Sequence, residues 1–272
     1  MLRSTQEMKN YAIGATDGEI GHVTDFFFDD ESWVIRYLVV ETGSWLLSRK
    51  VLISPFSLMD ADWMHKRLPV RITREQIKHS PDIDTHKPVS RQHEMAYADY
   101  YGYPYYWGGS GLWGDGLYAP LLASRNGIGN APPEVAIPHG RGAPPSHLNN
   151  DPHLRSCQSV IGYHIHASDG DIGHLQELLV DEKTWSIRYM VVDTRHYWIG
   201  HTVLVSPDWV KDINWGESNV TLDLMQQSVK DSPRFDSTAE LNRQRETEIH
   251  QHYGRPNYWD KEQRQEMTDA QD

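Results

Sequence analysis

The feature that most constrains this chain is that it is written twice. Displaced by 152 positions, the sequence overlays itself without gaps. ATDGEIGHVTDFFFDDESWVIRYLVVET (15–42) falls on ASDGDIGHLQELLVDEKTWSIRYMVVDT (167–194), and VLISP (51–55) falls on VLVSP (203–207). From Leu2 to Pro55, 24 of 54 positions are identical to their partners at 154–207. The frame holds downstream, where IKHSPDID (77–84) meets VKDSPRFD (229–236) and YGYPYYW (101–107) meets YGRPNYW (253–259). Similarity that stays in register for about 100 residues identifies a duplicated structural unit. The stretch between the copies differs in kind: residues 108–151 hold 9 Gly and 6 Pro in 44 positions, a linker composition. The expected organisation is a first copy with its tail over 1–107, a flexible linker over 108–151, a second copy with its tail over 152–259, and a polar tail over 260–272.

Inside each copy the apolar pattern has period two, the spacing of strands whose side chains alternate between faces. In WVIRYLVV (33–40), Trp33, Ile35, Tyr37 and Val39 are expected on one face and Arg36 on the other. Trp185, Ile187, Tyr189 and Val191 repeat the pattern, with Arg188 outward. An apolar, aromatic segment over 20–28 precedes it, and the acidic turn DDES (29–32) or DEKT (181–184) makes the pair a hairpin. VLIS (51–54) is a further short strand, stopped by Pro55, whose nitrogen cannot donate to a ladder. Leu68, Val70 and Ile72 alternate, as do Val220, Leu222 and Leu224. Closing such a set of short strands into a ring removes exposed edges, so a small antiparallel barrel is expected, with a sandwich as the competitor. Thr73 to Gln76 has capping-box spacing for a short helix. A second helix is expected from Ser90, or from Asn242 in the second copy, to Gly102 and Gly254. The expected class is mainly β: two small antiparallel barrels, each followed by short helices.

Charge and cysteine content narrow the function. Lys and Arg number 26 against 38 Asp and Glu, a formal net charge of −12. That sign opposes a phosphate backbone, and no basic run offsets it, so nucleic acid is not an expected partner. A single cysteine, Cys157, permits no intrachain disulfide and suits a reducing compartment. MLRSTQEMKN lacks the apolar core of a signal peptide, and no window reaches the roughly 18–20 apolar residues of a membrane span. The expected setting is cytoplasmic, without membrane insertion.

The order DGxIGH, apolar strand, Asp-rich turn, WxIRYxVVxT and VLxSP, present in both copies, resembles the PRC-barrel domain family. The likeness covers residues 8–80 and 160–232. Such domains occur in the cytoplasmic part of the H subunit of bacterial photosynthetic reaction centres and at the C-terminus of a bacterial ribosome-maturation factor. The YGxPxYW tail resembles an extension of stand-alone bacterial members with two such domains. The resemblance implies a six-stranded barrel used as an assembly or regulatory surface, with no catalytic machinery shared across members. The reaction-centre subunit carries an N-terminal membrane helix that this chain does not show. The functional expectation is a non-enzymatic protein-binding, assembly or regulatory module with a protein partner, in which the two repeats also associate with each other or the chain forms a homo-oligomer. The alternatives are an accessory protein of light-reaction electron transfer, and an enzyme or metal-binding protein with a site between the barrels.

That last alternative would use His22 and His174, the equivalent histidines that follow the glycine turn. The other reading is that each satisfies a turn carbonyl or sits at the barrel rim. His164/His166 and His250/His252 have no counterpart in the first copy, and a zinc site needs three or four convergent ligands. No catalytic residue, metal ligand or cofactor is therefore assigned. Gly18, Gly21, Gly170 and Gly173 read as a tight turn followed by a bulge, since no P-loop lysine follows. GGSGLWGDG in the linker lacks the serine-elbow spacing. Arg36 and Arg188 are expected to pair across strands or to meet a partner. The interaction candidates are completed by Tyr101, Tyr105, Tyr106 and Trp107, with Tyr253, Tyr258 and Trp259. Tyrosine and tryptophan bury large areas while keeping a polar tip, which suits an interface, or equally a latch that packs back on the chain's own barrel.

Overall fold

The structure, a computed structural model, describes residues 1–81, 89, 91–107, 112–113, 153–195, 201–237 and 241–260. The expected linker lies outside the described residues apart from Leu112 and Trp113, as do the helix start at Ser90 and the tail beyond Asp260. The chain divides into two compact units. The first comprises Arg3–Ser159 with Val180–Ile187, and the second Met1–Leu2, Val160–Leu179 and Arg188–Asp272. Each is mainly β, with one mixed sheet and a few short helices.

The chain opens with β1 (Leu2–Ser4) and α1 (Thr5–Met8), whose first turn is capped by the Ser4 hydroxyl accepting from the Gln6 and Glu7 amides. In the first unit β2 (Ala12–Ala15), β3 (Gly18–Asp29), β4 (Val34–Thr42), β5 (Lys50–Ile53) and β6 (Arg67–Pro69) form a sheet in the order β5-β4-β3-β2-β6. The strands alternate in direction, so β6, four strands after β2, runs the same way and pairs with it in parallel. This departs from the all-antiparallel expectation. An odd-numbered meander that returns to its first strand must meet it in parallel. Two helices follow, α2 (Arg74–Lys78) and α3 (Arg91–Tyr101). Thr73 and Gln76 form the capping box that their spacing indicates.

A further strand, β7 (Leu154–Ser156), pairs antiparallel with the end of β3, and α4 (Cys157–Val160) follows it. The second unit contains β8 (His164–Ala167), β9 (Gly170–Asp181), β10 (Ile187–Asp193), β11 (Thr202–Val205), β12 (Val210–Asn214) and β13 (Asn219–Leu222). Their order is β11-β10-β9-β8-β13-β12, with β1 paired to β9, and β8 with β13 is again the parallel pair. α5 (Gln226–Lys230) and α6 (Arg243–His252) complete it, and Asn242 caps α6 by accepting from the Arg245 amide. Gly102 (φ 69°) and Gly254 (φ 62°) end α3 and α6 in the left-handed conformation expected just past a helix C-terminus.

The hairpin turn is built alike in both copies. Asp29 accepts from the Glu31 and Ser32 amides, and Trp33 closes the turn at φ 55° with its amide on the Asp29 carbonyl. Asp181 accepts from the Lys183 amide, and Trp185 closes its turn at φ 61°. Such a φ is strained for tryptophan, and stacking of Trp33 on Phe28 at 5.2 Å helps to hold it.

β4 is buried along nearly its whole length, and its alternation is broken. Phe27 opposes Tyr37 while Phe28 opposes Ile35, so Arg36 is the extra residue of a bulge. Phe27 and Phe28 point to opposite faces, and so do Tyr37 and Ile35. The sequence pattern puts Ile35 and Tyr37 together and Arg36 outward, because period-two counting assumes an unbroken ladder. The bulge instead turns Arg36 inward, where it is 3% exposed. On that side Phe27, Tyr37, Val39 and Leu52 pack with Val89, Tyr97 and Leu154.

Gly21 is fixed by close approach rather than by a turn. A Cβ at Gly21 would lie 1.9 Å from the Glu41 carbonyl oxygen, and one at Gly173 would lie 2.0 Å from that of Asp193. Gly21→Ala and Gly173→Ala are each expected to lower stability by about 2 kcal/mol or more, by pushing the central hairpin apart. Gly43→Ala, with nothing closer than 3.8 Å, is the control and should change stability little. Chemical denaturation of the three variants measures this.

Candidate functional site: a buried arginine under an aromatic latch

In the first unit the Arg36 guanidinium lies between two rings, 3.9 Å from the Tyr106 centroid and 4.9 Å from that of Trp113. Nη1 donates to the Leu112 carbonyl and Nη2 to the Ser32 hydroxyl at 2.9 Å, and Nε lies 3.6 Å from the Asp29 carboxylate. Burial lowers the Arg36 pKa, against the charges of Tyr106, Asp29 and Glu94. Glu94, 1% exposed on α3, accepts from the Tyr106 hydroxyl and pairs with Arg91 at 3.1 Å and His153 at 2.9 Å. Arg91 in turn lies 4.4 Å from the Trp107 centroid. The result is a stack of alternating cations and rings, with the buried Glu94 carboxylate at its base. Cation–π contacts of this kind strengthen as water is excluded.

The second unit repeats the Arg–Tyr–Glu–Arg–Trp core of the arrangement at equivalent positions. Arg188 lies 4.2 Å from the Tyr258 ring and Arg243 lies 4.1 Å from that of Trp259. The Tyr258 hydroxyl donates to Glu246 at 2.8 Å and accepts from Arg243 at 2.8 Å. Tyr189, the counterpart of Tyr37, also reaches Glu246, at 3.3 Å, and lies 3.0 Å from His250 Nε2. Arg36/Arg188, Tyr37/Tyr189, Arg91/Arg243, Glu94/Glu246, Tyr106/Tyr258 and Trp107/Trp259 are all separated by 152 positions.

The structure thus brings most of the interaction candidates together within each unit. Tyr106, Tyr253 and Tyr258 are buried, while Tyr101, Tyr105, Trp107 and Trp259 are partly so. Tyr101 stacks on Tyr103 at 5.2 Å and packs with Tyr97 at 4.8 Å. Tyr253 packs on Trp209 at 4.7 Å. Tyr105 donates to Asp99 at 2.6 Å, a hydrogen bond that, with some burial, pushes its pKa up to about 12. Arg91, Glu94, Arg243, Glu246 and Trp113 were not singled out from the sequence. The signal was present: RQHE (91–94) and RQRE (243–246) match in frame within a helix that has otherwise diverged. Trp113 has no such signal, since its counterpart position holds Gln265. It is 2% exposed, donates to the Thr184 carbonyl at 2.9 Å and meets Phe56 edge-on at 4.9 Å.

The histidines of the glycine turn sit on strands. His22 is paired in register with Ala12 and Glu41, and His174 with His164, whose ring centroid is 4.6 Å away. Among the described residues no three His, Cys, Asp or Glu side chains are grouped so as to hold a metal ion. No described helix is long and apolar enough to cross a membrane. Compared with models of protein families and with curated proteins, the chain matches none.

Two measurements check the latch. Tyr106→Phe and Tyr258→Phe each remove a donor from a buried carboxylate and are expected to cost about 1.5–3 kcal/mol in denaturant unfolding. Tyr105→Phe, near the surface, should stay within about 0.5 kcal/mol. Burial first, and then a neighbouring Glu94 or Glu246, holds Tyr37, Tyr106 and Tyr189 well above the ordinary phenol range. Their protonated forms are thus favoured in the folded state. That contribution is fully present below the unfolded phenol pKa of about 10 and is lost as pH rises beyond it. In an alkaline titration, tyrosinate absorbance should rise in two phases, the second coinciding with loss of far-ultraviolet circular dichroism.

Proposed function

We propose that this is a self-latched, duplicated β-module protein that works by binding another protein, and that its modules are of the PRC-barrel type. The observation that carries the reading is the twice-repeated latch. Its cations, carboxylates and rings are engaged with one another inside each unit, so their chemistry goes into holding the tail on the sheet. What such a unit offers to the outside is a rigid surface, as expected of an assembly or regulatory module.

The barrel reading draws support from the strand pairings. β5 bends through the 3-10 turn Pro55–Ser57 into Leu58, which bridges to Val70, and the Met59 amide donates to the Pro69 carbonyl just after it. β6 then meets β2, the first strand of the meander. In the second unit the two end strands, β11 and β12, are consecutive and are joined by the turn Pro207–Trp209. Curling of this kind leaves few free edges. The order of motifs in both copies adds the likeness to the family.

The test is affinity purification from native lysate with the full chain as bait, followed by reconstitution with purified components. The expected result is a defined protein retained in stoichiometric amount, which rebinds the purified chain. A bait that retains only what an unrelated protein of equal charge retains would overturn the reading.

A further inference from the structure

The strand that completes the first unit does not come from the first copy of the sequence. β7 opens the second copy, yet it pairs with β3 through Phe27–Ser156, Phe28–Arg155 and Asp29–Leu154. Each of its residues is read individually. Leu154 is buried in the cluster of Phe27, Tyr37, Val39 and Tyr97. Arg155 Nε donates to Asp30 at 2.7 Å. The Ser156 hydroxyl donates to the Asp25 carboxylate, which also accepts from the Gln158 amide at 3.0 Å. The Asp30 amide donates to the His153 carbonyl at 2.9 Å, and His153 reaches Glu94 of the latch. The same tripeptide, Leu-Arg-Ser, opens the first copy as β1, where Arg3 meets Glu182 at 3.0 Å.

We infer that the edge of β3 over residues 25–30 is a strand-acceptor site that recognises an apolar–basic–hydroxyl sequence, and that a second copy of this chain can fill it in place of the chain's own β7. Main-chain pairing along a sheet edge supplies the affinity of such a site, and the alternate side-chain pockets supply its selectivity. The donor strand is joined covalently to its acceptor through residues 108–153, and nothing in the pairing itself requires that donor and acceptor belong to one molecule. Within one chain the linker gives the strand an effective concentration of roughly millimolar. Exchange between chains therefore emerges at high protein concentration, or when the internal pairing is weakened. The inference stands independently of whether the units are barrels and of what protein they bind.

A charge-reversal pair tests this on full-length protein. In Asp30→Arg the chain's own Arg155 faces a like charge, and in Arg155→Glu the chain's own Asp30 does. A reciprocal exchange between the two variants restores opposite charges at both contacts, as the native pair at one and as its charge-reversed equivalent at the other. Mixed and refolded at ~100 µM, well below the effective concentration that favours the internal pairing, the two variants are expected to form a one-to-one heterodimer of twice the monomer mass. Neither variant alone should form it. A mixture that remains monomeric, or stays unfolded because the partner fails to rescue it, overturns the inference. A second measurement does not depend on the variants folding. Wild-type chains bearing two different tags, unfolded together and refolded at roughly 2 mM, above the effective concentration of the internal strand, should co-purify on either tag, and failure to do so likewise overturns it.

Discussion

A guanidinium withdrawn from water is the constraint that the rest of this structure answers to. Removing such a charge from solvent costs several kcal/mol unless rings, carbonyls and carboxylates replace the lost hydration. Arg36 receives two ring faces, the Leu112 carbonyl, the Ser32 hydroxyl and the Asp29 carboxylate. Supplying that shell requires the hairpin turn, the residues after α3 and the start of the linker to converge on one strand. The helical tail is thereby part of the folded unit, because removing it would leave the charge buried without cover.

Comparison of the two copies separates what the latch requires from what merely fills space. The six positions that carry charge, hydroxyl and tryptophan are unchanged, while the packing around them has been rearranged. Tyr97 and Ala98 of the first copy correspond to Ile249 and His250 of the second, and Ser57 corresponds to Trp209. The ring that Tyr97 supplies from the helix is replaced by Trp209 on a 3-10 turn, against His250 at 5.2 Å and Tyr253 at 4.7 Å. Apolar volume can migrate between neighbouring elements with little penalty, whereas a buried charge and its partners cannot be moved singly.

The same distinction explains what could be read from the sequence. Features decided within a few residues were legible: the acidic hairpin turn, the Thr73–Gln76 capping box, Asn242 as a helix cap, and the two glycines that end the helices. Mainly β architecture was legible too, since alternation survives in most strands. The bulge at Arg36 was not, because one inserted residue leaves no mark in a hydrophobic pattern but reverses every facing assignment beyond it. Nor was the place of Leu154–Ser156, whose pairing partner lies more than a hundred positions away in the other copy. The tyrosines and tryptophans were found as a group, and the carboxylate they surround was not, since a glutamate in a polar helix gives no sign of burial. Only its recurrence in frame could have exposed it.

The bulge also bears on how the hairpin finds its alignment. A regular ladder of Val, Ile, Leu and Phe could slide by a pair of residues and still present apolar groups to both sides. With Arg36 inserted, any such slip carries the guanidinium away from the rings and oxygens that receive it. The residue therefore serves as a registration pin: misaligned hairpins strand a charge and dissolve, and the strand is admitted to the core in a single position.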